Sequence, residues 1–141
     1  MSVRNEIALD IVAQLRDIDD PRIGFVTRDP SVPAELANSQ FPCITVELLR
    51  ETRLDESMRP SRTRSGTLEI AITGYVQGVE IDQRRNTLIE AIEDRLEQDR
   101  KRDNYSKNAR ITGIELQPTI PPYGQFVMSY EVFYTYTRGE S

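Results

Sequence analysis

The chain contains no histidine and a single cysteine. Without histidine it lacks the commonest general base and the commonest neutral metal ligand. Serine or cysteine triads that rely on histidine are excluded, and so is a zinc site built on Cys and His. The lone Cys43 cannot form an intrachain disulfide. It opens an apolar strand, where a free thiol behaves as a small hydrophobe. A nucleophilic cysteine would need a base and an electropositive setting. No glycine-rich phosphate loop is present. No stretch approaches the roughly 20 apolar residues of a membrane span. Residues 1–6 carry no signal-peptide hydrophobic region, so the expectation is a reducing cytoplasm. The balance of charge is acidic: the formal net charge is -5, which disfavours a general nucleic-acid binder but leaves room for a local basic patch.

What is present fits one domain spanning residues 1–141. A chain of this size buries roughly 68–70% of its unfolded surface and needs no metal or disulfide to stay folded. Ile7, Ala8, Ile11, Val12, Leu15 and Ile18 recur at helical spacing, while Arg4, Asp10, Gln14 and Asp17 fall on other faces. Ser2 suits the N-cap, and Asp19-Asp20-Pro21 ends the helix. Residues 21–41, rich in Pro, Gly and short polar residues, read as a loop with one helical turn around Pro33-Ala34-Glu35-Leu36. From Pro42 the period becomes two: Ile44, Val46 and Leu48 oppose Thr45 and Glu47. Leu68, Ile70 and Ile72 alternate with Glu69, Ala71 and Thr73, so the two runs pair as a hairpin.

Gly74 and Gly78 bracket a turn-prone segment. A second helix is expected from about 80 to 100, its buried stripe formed by Ile81, Leu88, Ala91, Ile92 and Leu96. Its charged residues Arg84, Glu90, Glu93, Asp94 and Glu97 form a solvated face. Residues 101–108 read as a loop, Ile114 and Leu116 mark a third strand, and residues 118–124 make a stiff turn. The final strand places Phe126, Met128, Tyr130, Val132, Tyr134 and Tyr136 on one face. This stripe suits a core better than a base-stacking platform, which would need an open, basic sheet face. The order is α-β-β-α-β-β. It implies an α+β two-layer sandwich: a four-stranded, mostly antiparallel or mixed sheet with two helices on one face.

The connection at residues 50–66 is the oddity. It carries five arginines against three acids, and structureless connections beyond about 12–15 residues are uncommon in compact domains. It could be a solvated loop, or an arm reaching for a neighbouring subunit, a partner protein or DNA. Arginines bind phosphates without reading sequence, yet Glu51, Asp55 and Glu56 dilute the charge. Each strand also places one glutamate on its polar face: Glu47, Glu69, Glu115 and Glu131. Paired carboxylates can hold magnesium or act as acid and base, as in a small metal-dependent nuclease. The simpler account is the solvated face of an antiparallel sheet. A third is that Arg53, Arg59, Arg62 and Arg64 of one subunit meet the four glutamates of the next. Charge complementarity sets register and partner choice, and unlike surfaces pair head-to-tail. The opposing possibility is that the acidic face lines a lumen and keeps DNA from sticking.

Taken in order, these pieces resemble the tail terminator (tail completion) proteins of long-tailed bacteriophages, typified by the lambda-like family. The features are an opening helix and Phe41-Pro42-Cys43-Ile44-Thr45-Val46 leading the first strand. A long polar loop then runs to Leu68-Glu69-Ile70-Ala71-Ile72. A helix with Leu88, Ile92 and Leu96 comes next, then a late strand, and Gly124-Gln125-Phe126 opens a final Tyr-rich strand. The likeness covers about residues 3–137 and rests on order, spacing and total length rather than on one motif.

It implies a virion structural protein with no catalytic residues and no cofactor. Such a protein assembles in the host cytoplasm as a hexameric ring at the head-proximal end of the tail. The implied partners are other copies of the chain, the tail tube protein, and a neck or head-completion protein. Genomic DNA passes through the lumen without sequence-specific binding, and no membrane is involved. The segment 21–40 is longer than the family pattern and is a candidate contact for a sheath or neck protein. The alternative within the same class is a neck or stopper ring protein.

Overall fold

A computed structural model of the chain describes residues 3–19, 21–28, 36–53, 63–97 and 106–137. In chain order these form α1 (Val3–Arg16), β1 (Phe25–Thr27), a 3-10 turn (Asn38–Gln40) and β2 (Cys43–Arg53). Then come β3 (Thr63–Gln77), α2 (Ile81–Glu97), β4 (Ser106–Leu116) and β5 (Tyr123–Thr137). The five strands make one sheet in the order β1-β2-β3-β5-β4. β1 runs parallel to β2, and every other neighbouring pair is antiparallel.

The helices form where the apolar period of 3.6 is strongest. Ile7, Ile11 and Leu15 are fully buried along one stripe of α1, and Leu88, Ile92 and Leu96 along α2. Burying each such side chain contributes roughly 1.5–3 kcal/mol. The last turn of α1 tightens, with the amides of Asp17 and Ile18 donating to the carbonyls of Gln14 and Leu15. Arg95 of α2 ties the helices together: its Nε donates to the Gln14 carbonyl at 3.3 Å and its guanidinium pairs with Asp17 at 2.9 Å. Both helices pack on one face of the sheet, against Ile44, Val46, Leu68, Ile70, Ile72 and the β5 stripe from Phe126 to Tyr134. The aromatic stripe of the last strand is therefore core; the Tyr136 side chain lies outside the described residues.

The architecture departs from the sequence expectation in four places. The sheet has five strands rather than four, because residues 25–27 of the expected loop pair with residues 43–45. A three-residue strand with one buried side chain, Val26, shows no period. The hairpin is longer than read: β2 runs to Arg53 and β3 begins at Thr63, so residues 50–53 and 63–66 are strand. An extra residue at Leu49 shifts the register between Leu48 and Arg50, and that bulge breaks the alternation.

The remaining two departures lie beyond the hairpin. Gly74 is strand rather than turn: a Cβ there would stand 2.3 Å from the Phe126 ring, so glycine admits a close-lying aromatic. β4 likewise starts at Ser106, inside the expected 101–108 loop. The helical turn expected at residues 33–36 falls, except for Leu36, outside the described residues, as does the arm between 54 and 62.

Candidate interaction surfaces of the sheet

The face turned away from the helices carries the glutamates, and the register decides which of them meet. Arg50 pairs in register with Glu69, Glu69 with Glu131, and Glu131 with Arg110. One row thus crosses four strands with charges in the order plus, minus, minus, plus. Arg50 reaches Glu69 at 3.1 Å and Arg110 reaches Glu131 at 3.2 Å. The two carboxylates stand directly opposite each other, an unfavourable arrangement alone; the flanking arginines offset it. Arg110 also lies over the Phe133 ring, 5.6 Å from its centre. Exposed pairs of this kind are worth at most about 1 kcal/mol each.

Glu47 and Glu115 stand apart from this row. Their register partners are Ala71 and Val127, and both side chains are exposed without an ion pair among the described residues. The four glutamates therefore divide into a neutralised central pair and two outlying charges. No group of three or more acidic, Cys or His residues that could hold a metal ion occurs among the described residues. The same face explains Cys43. Tyr75 stands opposite it in register, and Cys43 and Thr45 are both buried. Burial, together with the nearby Cys43 and Glu47, raises the Tyr75 pKa above its ordinary value; a hydrogen bond with Thr45 pulls the other way.

On the helix side, the bulge at Leu49 turns Glu51 inward, opposite Leu68. Its side chain is 13% exposed and gathers three donors. Arg4 of α1 donates to Oε1 at 3.0 Å, Arg53 donates to it at 2.9 Å, and the Tyr134 hydroxyl donates to Oε2. Gly66 makes room for Tyr134, since a Cβ there would come within 2.8 Å of its ring. Glu51, read from sequence as one of the acids diluting the arm, is the point where hairpin, α1 and β5 are joined. Arg53, expected at a subunit interface, is committed to Glu51 in its own chain. Arg64 lies in β3 by its backbone, and Arg59 and Arg62 are outside the described residues.

Two further features escaped the sequence reading. Arg85, on a helix whose charges look solvated, is buried. It donates to the Gln117 carbonyl at 2.6 Å and the Gln125 carbonyl at 3.4 Å, and pairs with Asp82 at 3.3 Å. It thereby clamps the β4–β5 turn to α2. A cleft of about 410 Å³ lies between the segment around Pro21, Phe41 and Pro42 and the start of α2 at Glu80 and Arg84. Neither feature could be found from the spacing of charges. No helix among the described residues is long and apolar enough to cross a membrane.

No protein-family model matches the chain, and no curated protein matches it. Among solved structures, a chain from the virion of native gene transfer agent (GTA) particle is similar at 12% identity and a TM-score of 0.48, covering 92% of this chain and 96% of that one.

Proposed function

We propose that the chain is a structural protein of a phage-like virion, a tail terminator that forms a ring, hexameric by family pattern. The ring caps the tail tube, ends its polymerisation and offers the joint to the neck or head-completion protein. Genomic DNA passes through its lumen without sequence-specific contact. The observation that supports this reading is the element order: an opening helix, a short edge strand, a hairpin joined by the charged residues 54–62, a second helix, and two closing strands. The exposed glutamates Glu47 and Glu115, without an ion pair among the described residues, are the acceptors left for Arg59, Arg62 and Arg64 of a neighbouring subunit. Residues 21–40 remain the candidate contact for a neck or sheath protein.

Native mass spectrometry of the protein, alone and with purified tail tubes, tests the reading. A closed oligomer on the tube ends is expected; a strict monomer in both samples would overturn it. Labelled antibody placing the protein on the head side of the joint instead would assign it to the neck. Magnesium-dependent cleavage of duplex or branched DNA, abolished by Glu69→Gln, would replace the structural role with a nuclease.

A further inference from the structure

The sheet ends differently at its two sides. α1 packs on β1, β2 and α2, while α2 packs on β3 and β5. The core thus reaches residues 109–111 of β4, where Ala109 is buried and Ile111 packs against it, but does not cover Ile114 and Leu116. Ile114 pairs in register with Met128, and Leu116 with Phe126, so each shares its partner's face of the sheet. Met128 and Phe126 are 0% exposed, yet Ile114 is 40% and Leu116 is 50% exposed. The end of β4 at Ile114 and Leu116 lacks the cover that its neighbour has. Its outer backbone edge pairs with no strand among the described residues. Two register shifts, at residues 106–108 and 111–113, leave Gly113–Leu116 as the regular stretch next to this apolar pair.

At the opposite side the sheet closes with β1, only three residues long. Here the helix layer reaches the rim. Asn5 of α1 accepts a hydrogen bond from Arg28, and Arg16 donates to the Val26 carbonyl. Leu9, four residues beyond Asn5 on the same flank of the helix, is 47% exposed. One rim has an apolar sheet surface without a helix; the other has a helix with an exposed apolar side chain.

We propose that Ile114 and Leu116 of one copy are covered by the α1 flank around Leu9 of a second copy, whose β1 aligns with the Gly113–Leu116 edge. Strand direction supports this pairing. β1 is parallel to β2, and three antiparallel steps lead from β2 to β4, so β1 and β4 run oppositely. A copy continuing the sheet in the same orientation sets them antiparallel, with its helix layer on the correct side. Pairing β4 with β4 about a two-fold axis would also be antiparallel. It would, however, bring no helix to either stripe and leave both exposed. The head-to-tail contact uses unlike surfaces, so it propagates to a third copy and closes only if the rotation allows. Closure rests on the ring reading above; the contact itself names which surfaces make it.

The test is chemical cross-linking of the full chain with a bifunctional maleimide, beside native mass spectrometry. Cys43 is fully buried and serves as the unreactive background. The L9C/L116C double variant should give a ladder up to the native oligomer, and either single variant should give none. Ile114→Asp with Leu116→Asp should raise the concentration of half-assembly by roughly 100-fold, as expected for removing two interface anchors. Because both residues are already exposed, the monomer should melt within a few degrees of the parent. A strict monomer at every concentration would overturn the ring and this contact together. An oligomer that gives no L9C/L116C ladder, or that survives both aspartates, would overturn this contact and leave the ring. Dimers from L116C alone would show the two-fold pairing instead.

Discussion

Glu51 shows how one residue's role can invert between sequence and structure. In sequence it is an acid among arginines, at the base of a charged connection. In the fold it accepts hydrogen bonds from Arg4, Arg53 and Tyr134. Removing it would take a charged acceptor from the Tyr134 hydroxyl, on a side chain that is buried. Losing a hydrogen bond to a charged group costs about 1.5–3 kcal/mol, and the half-exposed arginines add little. Glu51→Ala should lower stability by that amount in urea unfolding, and Glu51→Gln, which keeps an acceptor, by less. Tyr75 supplies a pH signature. Its raised pKa means that the unfolded chain gives up the phenolic proton first, near its ordinary value of 10.0. Stability from this source is complete below that pH and is lost as pH rises toward the folded-state value. Between pH 9 and 11 the parent should therefore lose more stability than Tyr75→Phe, measured as the shift in urea midpoint.

Among the elements, the β4–β5 turn depends on a helix it does not belong to. Arg85 holds the Gln117 and Gln125 carbonyls from α2, while its own Nε is buried without a partner. The clamp thus stabilises the turn at some desolvation cost to the arginine. Within the turn, the amides of Ile120 and Tyr123 donate to each other's carbonyls. Arg85→Ala should speed hydrogen exchange at those two amides by tenfold or more, equivalent to about 1.4 kcal/mol of local stability. Exchange at Ile70 and Ile72 in the centre of β3 should change much less. Uniform acceleration across the sheet would mean that Arg85 supports the whole fold rather than the turn.

For the whole molecule, the open face is less acidic than a count of glutamates suggests. Arg50 and Arg110 neutralise Glu69 and Glu131 within the chain, so in the proposed ring Glu47 and Glu115 are the acceptors for a neighbour's arm. If the arm meets a neighbour as proposed, reversing Arg62 and Arg64 to glutamate should impair ring formation while leaving the monomer folded, because the connection carries few apolar residues. Sedimentation velocity checks this, and unchanged oligomers would remove the arm from the interface. Rim charges act mainly on association rate and its salt dependence, and salt screens them, so the defect should be larger at low salt than at high salt.

Local pattern determined much of this protein. The two helices, their buried stripes, the β2–β3 pairing and the β5 core followed from periods of 3.6 and two, which a few neighbouring residues suffice to set. The missing histidine settled by itself which catalytic kits are closed. Tertiary structure decided the rest. The bulge at Leu49 shifts the phase of β2 by one residue, and that step turns Glu51 from the solvent face to the helix face. Which glutamates meet which arginines depends on register across four strands, fixed by hydrogen bonds between residues far apart in sequence. β1 exists only because β2 offers it an edge. The exposed end of β4 is visible only once the helices are placed, because the alternation of Ile114 and Leu116 with Glu115 is the same whether or not a helix lies above it.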